Sequence, residues 1–499
     1  MKQSFWTILA LAGLASCNNT PGTLPYNAET GCYEIGTAEE LGLLSRLSCD
    51  TTIVDESGRK IHKKPYRQIK VVLTNDIEVG NDFQPIDGSY CYVGEFNGNG
   101  HSITFKDVEQ TFEVEDDGDI EWMFNSESEW GLFRDARTMT VKDLTLKGNV
   151  HLYIDKPTDN FCIGSLAGEA EGVRMENCQS SVELKVTGST EDKKYEGRGI
   201  FIGGLAGRLG MEVSKYSTFA GKTTFNGNIH VDAGNVRTKI SVGGIAGEAN
   251  HIDLAPDALV ENRGDVQISM TSAGNSNYVG GVFGQINDTK EQVITNCHNH
   301  ADIQVAMAAA GNFNYVGGVF GQVYCIEECV ITDCHNHAGI TVTSKGTDTY
   351  LEIGGVAGNI DASSRPVSIL NLTNSGAVLV DSESSLSLGG VIGETDSSNR
   401  HYVMADVTNS GLVTVDKTPD EYSDVGGVLG QGACIMHKVA NKGKIQFNGN
   451  DEKMNIGGVV GSDGFSRVSI IYSCCSNEDT NYPIAPRSRH ITKICDAGH

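Results

Sequence analysis

The sequence predicts an all-β protein folded as a parallel β-solenoid, and three observations carry that prediction. A hexad occurs nine times along the 499 residues, at intervals of 31 to 40 residues, with a glycine pair at its second and third positions in all but the first copy, which has Gly164-Ser165. A turn motif built on asparagine and glycine recurs between the hexads. Short runs rich in β-branched residues, with almost no helical periodicity, fill the remainder. A unit of this kind cannot bury its apolar face alone, so consecutive copies are expected to stack, each forming about one coil.

Composition limits the class of protein. Hydrophobic residues make up 39% of the chain and charged residues 20%, which is enough apolar material for a large core and excludes wholesale disorder. The 64 acidic residues outnumber the 38 Lys and Arg, giving a formal net charge of −26. A chain this acidic repels phosphate backbones, so no nucleic-acid partner is expected.

The first residues are predicted to be a targeting segment. An apolar run from Phe5 to Leu14 is about half as long as a membrane-spanning helix and leads into Ala15-Ser16-Cys17. This ending resembles the bacterial lipobox, in which cleavage precedes a cysteine that receives a diacylglycerol. An ordinary signal peptide with an incidental cysteine is the alternative.

The lipobox interpretation predicts how the chain is processed and where it is located. Residues 1–16 are expected to be a cleaved signal peptide, and residues 17–31 to be the lipidated Cys17 with a tether. No later stretch is long and apolar enough to span a bilayer, so the membrane partner would be reached through the lipid alone. The expected location is the outer membrane, at the cell surface or on the periplasmic face.

Residues 32–150 are predicted to hold an end cap and the first coils. Thr37 and Glu40 have the spacing of a capping box, so a short amphipathic helix is expected over residues 38–48. Such a helix would cover the apolar end of the solenoid, as terminal units of stacked repeats must. Residues 472–499 are the candidate for the cap at the other end.

Residues 151–471 contain the nine repeats. Hexad positions one, four and five are apolar in every copy, while positions two, three and six are small. In a single straight strand, position four would lie on the opposite face from positions one and five. Either a bulge at the glycine pair changes the face, or another part of the chain covers position four. The hexads begin at Ile163, Ile202, Val242, Val279, Val316, Ile353, Leu388, Val425 and Ile456.

Stacked coils would bring equivalent residues of neighbouring repeats into rows. The asparagine of the turn motif is expected to form a ladder of amide hydrogen bonds, made of Asn262, Asn299, Asn336, Asn374, Asn409 and Asn441. The residue after each hexad also fits stacking, because no two neighbouring copies both carry a carboxylate. In chain order these residues are Glu169, Arg208, Glu248, Gln285, Gln322, Asn359, Glu394, Gln431 and Ser462.

The order of motifs in the first 150 residues resembles the opening of bacterial GLUG-motif repeat proteins. The matching segments are TAEEL from Thr37, LTNDIEV from Leu73, FNGNGHSI from Phe96, GLF from Gly131 and VKDLTLKGNV from Val141. The hexads VGGVFG, VGGVLG and IGGVVG resemble the GLUG motif itself, and the resemblance spans about residues 33 to 470. It implies a right-handed parallel β-helix on a secreted or cell-surface protein, often adhesin-like, from a bacterium of the Bacteroidota, with no shared catalytic residues.

Two copies depart from that pattern with the sequence Cys-His-Asn-His. Stacked on neighbouring coils, they would bring four imidazoles and two sulfurs together, a donor set that suits zinc. Neighbouring copies carry Asn-Arg-Gly or Asn-Ser-Gly at the same turn, so the histidines are not a general feature of the repeat. We therefore expect the chain to have no metal and no cofactor. The candidate ligands are Cys297, His298, His300, Cys334, His335 and His337.

The remaining cysteines suggest disulfides, because the predicted compartment is oxidising. Cys32 with Cys49 and Cys475 with Cys495 are plausible pairs near the ends of the chain. Buried thiols that pack in a ladder are the alternative for the stacked cysteines.

Two other segments resemble binding motifs but are better explained without a ligand. Arg263-Gly264-Asp265 is an integrin-type tripeptide, but its glycine is required by the repeat turn, which makes coincidence the better explanation. The acidic run Glu113 to Glu121 lacks the spacing of a calcium loop and is expected to be a solvated loop.

The predicted function is non-catalytic binding of a glycan, matrix or cell-surface ligand by a lipid-anchored β-helix. The alternative is a polysaccharide lyase or hydrolase, because parallel β-helices also carry such sites. Those sites need two or three carboxylates in one lateral groove, whereas the carboxylates of this sequence look scattered.

Overall fold

A computed structural model shows a parallel β-solenoid of about nine turns. The structure describes residues 23–48, 51–54, 60–63, 68–88, 93–112, 128–154, 160–189, 199–210, 215–236, 238–270, 276–289, 292–308, 313–345, 349–362, 365–395, 402–417, 419, 422–449, 453–463, 470–473, 475–479, 481–485 and 491–493. The expected signal peptide, Cys17, Cys49, the acidic run from Glu113 and Cys495 lie outside these residues.

The coils are built from parallel sheets, which each coil visits in the same order. The hexad spans two of them: its first two residues end a strand of the pre-corner sheet, and its fifth residue begins a strand of the post-corner sheet. The pre-corner strands are Glu129–Trp130, Phe161–Gly164, Ile200–Gly203, Ile240–Gly243, Ser276–Gly280, Phe313–Gly317, Tyr350–Gly354, Ser385–Gly389, Ser423–Gly426 and Met454–Gly457. The post-corner strands are Ile86–Gly88, Phe133–Arg137, Ala167–Glu171, Ala206–Leu209, Ala246–Asn250, Phe283–Thr289, Phe320–Cys325, Ala357–Ala362, Ile392–Thr395, Leu429–Gln431 and Val460–Ser462.

The chain then crosses one of two side sheets. The first consists of Tyr26–Asn27, Cys32–Ile35, Ile69–Leu73, Val93–Asn97, Thr140–Lys142, Arg174–Glu176, Ser217–Ala220 and Ile252–Leu254. The second consists of Gln292–Thr295, Cys329–Thr332, Val367–Leu370, Tyr402–Ala405, Ile435–His437, Ile470–Ser473 and Ile491–Lys493.

The coil closes through the amide sheet, named for its buried asparagines. Its strands are Ile77–Val79, Ser102–Phe112, Thr145–Ile154, Gln179–Gly188, Lys222–Phe225, Ile229–Asp232, Leu259–Asn262, Val266–Met270, Cys297–Asn299, Ile303–Met307, His335–Asn336, Ile340–Ser344, Thr373–Asn374, Val378–Ser382, Thr408–Asn409, Val413–Val415, Ala440–Asn441, Ile445–Phe447 and Ser476–Asn477. The antiparallel pair Thr51–Val54 and Lys60–Lys63 stands apart from these sheets.

Equivalent residues of neighbouring repeats pair in register, as the sequence predicts. Val279 pairs with Val316, and Val316 pairs with Ile353, along the pre-corner sheet. The same holds one residue beyond the hexad, where Arg208 lies between Glu169 and Glu248 on the post-corner sheet. The predicted stacking of coils is therefore confirmed.

A sharp corner resolves the problem of hexad position four. The strand Ser276–Gly280 ends at the first glycine of the pair, the chain bends at Gly281 and Val282, and the next strand begins at Phe283. Position four lies on the inside of this bend, so Val279, Val282 and Phe283 are all at most 1% exposed. The premise of one straight strand was wrong, because two strands of different sheets meet within the hexad.

The second glycine of the hexad makes room for the asparagine of the same coil. A Cβ atom on Gly318 would overlap the side-chain amide of Asn336 and the carbonyl oxygen of Gly355. The same relation holds between Gly355 and Asn374. The two motifs of the repeat are thus parts of a single packing contact.

The N-terminal helix Ala38–Ser48 forms as predicted. The Thr37 hydroxyl accepts a hydrogen bond from the Glu40 amide at 3.2 Å, and Glu40 Oε2 accepts one from the Thr37 amide at 3.1 Å, which completes the capping box. Leu41 and Leu44 on the inner face of the helix are fully buried. The Ser45 hydroxyl bonds to the carbonyl of Pro85, just before the first post-corner strand, so the helix covers that end of the core.

Part of the expected tether is folded. The strand Tyr26–Asn27 pairs antiparallel with Cys32–Ile35 and lies at the edge of the first side sheet. The rings of Tyr26 and Tyr33 are 5.0 Å apart, and Leu24 is 6% exposed. The segment expected to be a tether therefore includes a short edge strand, whose apolar side chains have packing partners.

The C-terminal end of the described core is covered by Tyr482 to Ile484. The amides of Val459 and Val460 in the last hexad both donate to the carbonyl of Ile484 at 2.9 Å. The side-chain amide of Asn477 donates to the carbonyl of Tyr482 at 2.9 Å. This segment takes the place that a further coil would occupy.

Candidate binding groove and histidine cluster

An open groove lies on the outer face of the amide sheet in the first coils. A bulge lies within it: the strand Ser102–Phe112 has two residues, Lys106 and Asp107, between Phe105 and Val108, where the partner strand has only Asn149. The bulge turns Asp107 outward at φ 47°. The groove is lined by Asp107, Val108, Glu109, Asn149, Val150, His151, Glu183, Leu184, Lys185, Asn228 and His230.

The groove offers polar groups to a ligand from several coils at once. The Asn149 amide donates to Asp107 Oδ1 at 2.8 Å, and Lys185 pairs in register with His151 and His230 on either side of it. The ring of His151 lies 4.0 Å from that of Tyr153. The carboxylates, amides and imidazoles of the groove are groups that bind the hydroxyls of sugars, and the neighbouring Tyr153 ring is a group that binds their apolar faces.

His151 is the half-buried member of the groove. Burial and, secondly, the Lys185 ammonium lower the pKa of His151. The neutral ring bonds to the Thr187 hydroxyl at 3.0 Å. At neutral pH it therefore presents a hydrogen-bonding edge without a charge.

A second row of polar contacts continues along the axis above the groove. The Asp265 amide donates to Asn228 Oδ1 at 2.9 Å, and Asp265 Oδ1 accepts the Asp302 amide at 3.0 Å. Arg263 is bonded to Glu261 at 3.2 Å. The Arg263-Gly264-Asp265 tripeptide thus belongs to the repeat turn, with both charged side chains engaged within the chain.

The six predicted asparagines form one hydrogen-bonded row. Each side-chain amide donates to the next asparagine along the axis at 2.8 to 3.1 Å, and every member is fully buried. Asn477 extends the row at its C-terminal end, and the sequence reasoning missed it. Like the earlier members, Asn477 is the last residue of a strand of the amide sheet. Phe225 and Ser180 hold the equivalent positions below Asn262.

The four histidines of the Cys-His-Asn-His copies form a cluster on the outer face of the amide sheet. His298 pairs in register with His335, with ring centroids 4.9 Å apart. His300 and His337 stack at 4.7 Å with an interplanar angle of 13°. One ring nitrogen of each of His298, His300 and His337 lies within 4.8 Å of those of the other two.

Burial of the cluster favours neutral imidazoles. Burial lowers the pKa of His298, His300 and His335, and the proximity of His337 lowers the pKa of His300 further. Glu261 Oε1 lies 3.7 Å from His300 Nε2. Neutral rings are the form that binds metal ions.

The two cysteines do not join the histidines. Cys297 and Cys334 are fully buried and face the core, while the neighbouring His298 and His335 face outward. Adjacent residues of a strand point to opposite faces, so the expected meeting of imidazoles and sulfurs is wrong. The Cys297 thiol donates to the carbonyl of Thr295 at 3.5 Å, and burial raises the pKa of Cys297. Cys162, Cys178, Cys297, Cys334 and Cys434 are buried free thiols, and the expected partners of Cys32 and Cys475 lie outside the described residues.

Carboxylates also meet between the pre-corner and post-corner sheets, in a polar seam. The seam consists of the residue before each hexad, such as Glu352, and the residue after it, such as Asn359. The chain folds back at the corner and brings these two rows together. The expectation of scattered carboxylates is therefore wrong.

The seam carboxylates are engaged by groups of the same chain. The Asn359 amide donates to Glu352, and the Tyr350 hydroxyl lies 2.9 Å from Glu394 Oε2 and from Gln431 Oε1. Burial raises the pKa of Glu352 well above its usual range, and the nearby Glu394 adds to this effect. With Glu352 only 4% exposed, this part of the seam is a closed hydrogen-bond network.

The other end of the seam holds a second acidic group. Burial, then Glu169, then Asp135 raise the pKa of Glu129 to about 9. Burial also raises the pKa of Asp135 to about 7, against the effect of Arg137, whose Nε lies 2.7 Å from Asp135 Oδ2. Glu129 is therefore protonated in the folded protein at neutral pH.

Over the described part of the chain, no helix is both long and apolar enough to cross a membrane. The chain has no match among protein-family models, curated proteins or solved structures.

Proposed function

We propose that this chain is a lipid-anchored envelope protein of the GLUG-motif type that binds a glycan at the groove on its amide sheet, without chemical turnover. The observation that carries the proposal is the contrast between two surfaces. Asn149, Glu183, Lys185 and His230 in the groove are exposed, whereas in the polar seam Glu352 is buried and accepts a bond from Asn359, and Glu394 accepts one from Tyr350.

The groove suits hydroxyl-rich ligands. Asp107, Glu109 and Glu183 supply acceptors, while Lys185 and Asn228 supply donors, spread over neighbouring coils. Coils repeat about every 4.8 Å, which is close to the repeat of successive sugar units along an extended glycan. A glycan lying along the axis would therefore meet a new set of polar groups at each coil. An acidic surface favours neutral or cationic sugars over sulfated or uronic ones.

A glycan panel tests both halves of the proposal. The purified mature chain is applied to immobilised glycans and to matrix proteins, and the eluates are assayed for new reducing ends and unsaturated sugars. We expect retention on at least one neutral or cationic glycan with no released product. Released products would contradict the non-catalytic proposal, and retention on matrix proteins alone would contradict the glycan assignment.

Paired variants test the position of the site. Asn149→Ala combined with Glu183→Gln should weaken retention at least tenfold, because both side chains line the groove. Ser368→Ala on the second side sheet is the control and should bind as the native chain does. Equal retention by the groove variant would place the binding site elsewhere.

The anchor is tested separately. Cys17→Ser should abolish incorporation of labelled palmitate and release the protein from the membrane fraction. Protease treatment of intact cells distinguishes the cell surface from the periplasmic face. Labelling of the serine variant would contradict lipidation at this cysteine.

A further inference from the structure

The histidine cluster has the geometry of a metal site that the glycan proposal does not use. Three ring nitrogens, from His298, His300 and His337, lie within 4.8 Å of one another. Nitrogens bound to one tetrahedral zinc ion are about 3.4 Å apart, from Zn–N bonds of about 2.1 Å. His300 and His337 are exposed, so small rotations about their side-chain torsions close the difference.

The solenoid fixes the backbone that carries these rings. Asn299 and Asn336, which lie between the histidines of each copy, are fully buried and bonded to each other at 2.8 Å. His298 and His335 are paired in register by the same sheet. The ligands therefore lie on two adjacent rungs whose separation is set by the fold, and binding a metal orders only side chains.

Partners of the remaining ring nitrogens support the site. His337 Nδ1 lies 3.4 Å from the Ser375 hydroxyl, and the His298 ring bonds to the backbone of Asp333. Metal-binding histidines usually make such a contact through one ring nitrogen and bind the metal through the other. Glu261, 3.7 Å from His300 Nε2, supplies a nearby negative charge, although Lys222 and Arg263 share it.

The donor set decides which metal fits. Imidazole nitrogens suit zinc and its first-row neighbours, whereas calcium and magnesium prefer oxygen ligands. Cys297 and Cys334 face the core, so sulfur is excluded from the coordination shell. We propose that His298, His300 and His337 bind one Zn²⁺ ion on the outer face of the amide sheet, with His335 beside it and a coordination position open to solvent.

Zinc titration of the full mature chain, purified without a histidine tag, tests the proposal. Calorimetry and metal analysis should give one Zn²⁺ per chain, with no binding of Ca²⁺. His337→Ala and His300→Ala should each weaken zinc binding at least tenfold, and both are exposed positions that the fold tolerates. His437→Ala is the matched control, since this exposed histidine lies on the second side sheet and should leave zinc binding unchanged.

Cobalt substitution tests the ligand identities. The Co²⁺ form should show the visible bands of a nitrogen and oxygen shell with no thiolate charge-transfer band, and Cys334→Ser should leave the spectrum unchanged. Absence of zinc uptake by the native chain, equal binding by His337→Ala, or a thiolate band would each overturn the proposal. None of these results depends on whether the groove binds a glycan.

Discussion

At the scale of single residues, the buried asparagines show how a polar side chain stabilises a core. The Asn336 amide donates to Asn374 Oδ1 and to the carbonyl of Ala338, both at 2.8 Å, and its oxygen accepts from Asn299. Both donor hydrogens are used, and the oxygen is bonded. A buried amide is tolerated only when its groups are satisfied, and the repeat guarantees this by placing an identical amide on the next coil.

Removing one member of the row should be costly. Asn336→Ala leaves unpaired groups on Asn299, Asn374 and Ala338 and opens a small cavity, so we expect a loss of about 2–4 kcal/mol in the free energy of unfolding. Chemical denaturation measures it. Gln304→Ala, at an exposed position of the amide sheet, is the control and should change stability by less than about 0.5 kcal/mol. Equal effects of the two substitutions would show that the row does not stabilise the fold.

Glu129 should make stability depend on pH. Its pKa is raised from an ordinary value of 4.5 to about 9 in the folded state, so its favourable contribution is complete below pH 4.5 and is lost as the pH rises toward 9. Glu129→Gln mimics the protonated acid at every pH. Relative to the native chain it should be neutral at pH 4 and more stable by about 1–4 kcal/mol at pH 8.

The control for this substitution is Glu78→Gln, an exposed carboxylate whose side chain is 59% accessible. Thermal melts of both variants at pH 4, 6 and 8 measure the trend. A gain from Glu129→Gln that does not grow with pH would contradict the burial of a protonated acid at this position.

The sequence predicted which residues stack but not which side chains share a face. In-register repeats made the asparagine row and the pairing of His298 with His335 predictable. Successive side chains of a strand point to opposite faces, so it was also predictable that Cys297 faces away from His298, and the sequence reasoning did not use this rule. The meeting of Glu352 with Glu394 was not predictable, because it depends on the fold-back at the corner, which no local pattern indicates.

At the scale of elements, the hexad is a corner between two strands. Its first glycine ends one strand, its second glycine packs against an asparagine, and its third small residue allows the two sheets to approach closely. A sequence of apolar residues at positions one, four and five is therefore typical of a bend whose inside is filled. Periodicity alone could not distinguish that bend from a bulge, since both break the alternation.

The tightness of the corner gives a matched pair of substitutions. Gly318→Ala would place a methyl group on the Gly355 carbonyl and the Asn336 amide, so it should prevent folding of that coil or lower stability by at least about 3 kcal/mol. Gly339→Ala meets only Asp302 Oδ1 at 3.3 Å and Ala377 at 3.8 Å, so it should cost less than about 1 kcal/mol. Similar melting temperatures for the two variants would contradict the packing of the glycine against the asparagine.

The N-terminal helix was predictable and the extra edge strand was not. The capping box formed by Thr37 and Glu40 is a local signal, and the structure shows its reciprocal hydrogen bonds. The strand Tyr26–Asn27 contains only two residues, and it forms because the first side sheet offers an unpaired edge. Short strands of this kind are set by their partner and carry no periodicity of their own.

At the scale of the whole molecule, the described core is a rod covered at both ends, with a closed polar seam and an outer face that carries both proposed sites. The groove lies on the first coils of the amide sheet, and the histidine cluster lies on later coils of the same sheet. The groove was not predictable, because its residues differ from coil to coil and have no repeat signature, whereas the two Cys-His-Asn-His copies marked the histidine cluster in the sequence. The repeat specifies the scaffold, and the departures from the repeat supply the candidate chemistry.

The continuous rod is tested most directly by distances between spin labels, introduced as noncanonical residues because the chain contains 14 Cys. Gln267 and Gln446 are five coils apart along one row, and Gln304 and Gln446 are four coils apart. At about 4.8 Å per coil, backbone separations of about 24 Å and about 19 Å are expected, each as a single narrow distribution. Distances beyond about 40 Å, or pairs that do not differ by one coil, would contradict the stacking on which both proposed sites depend.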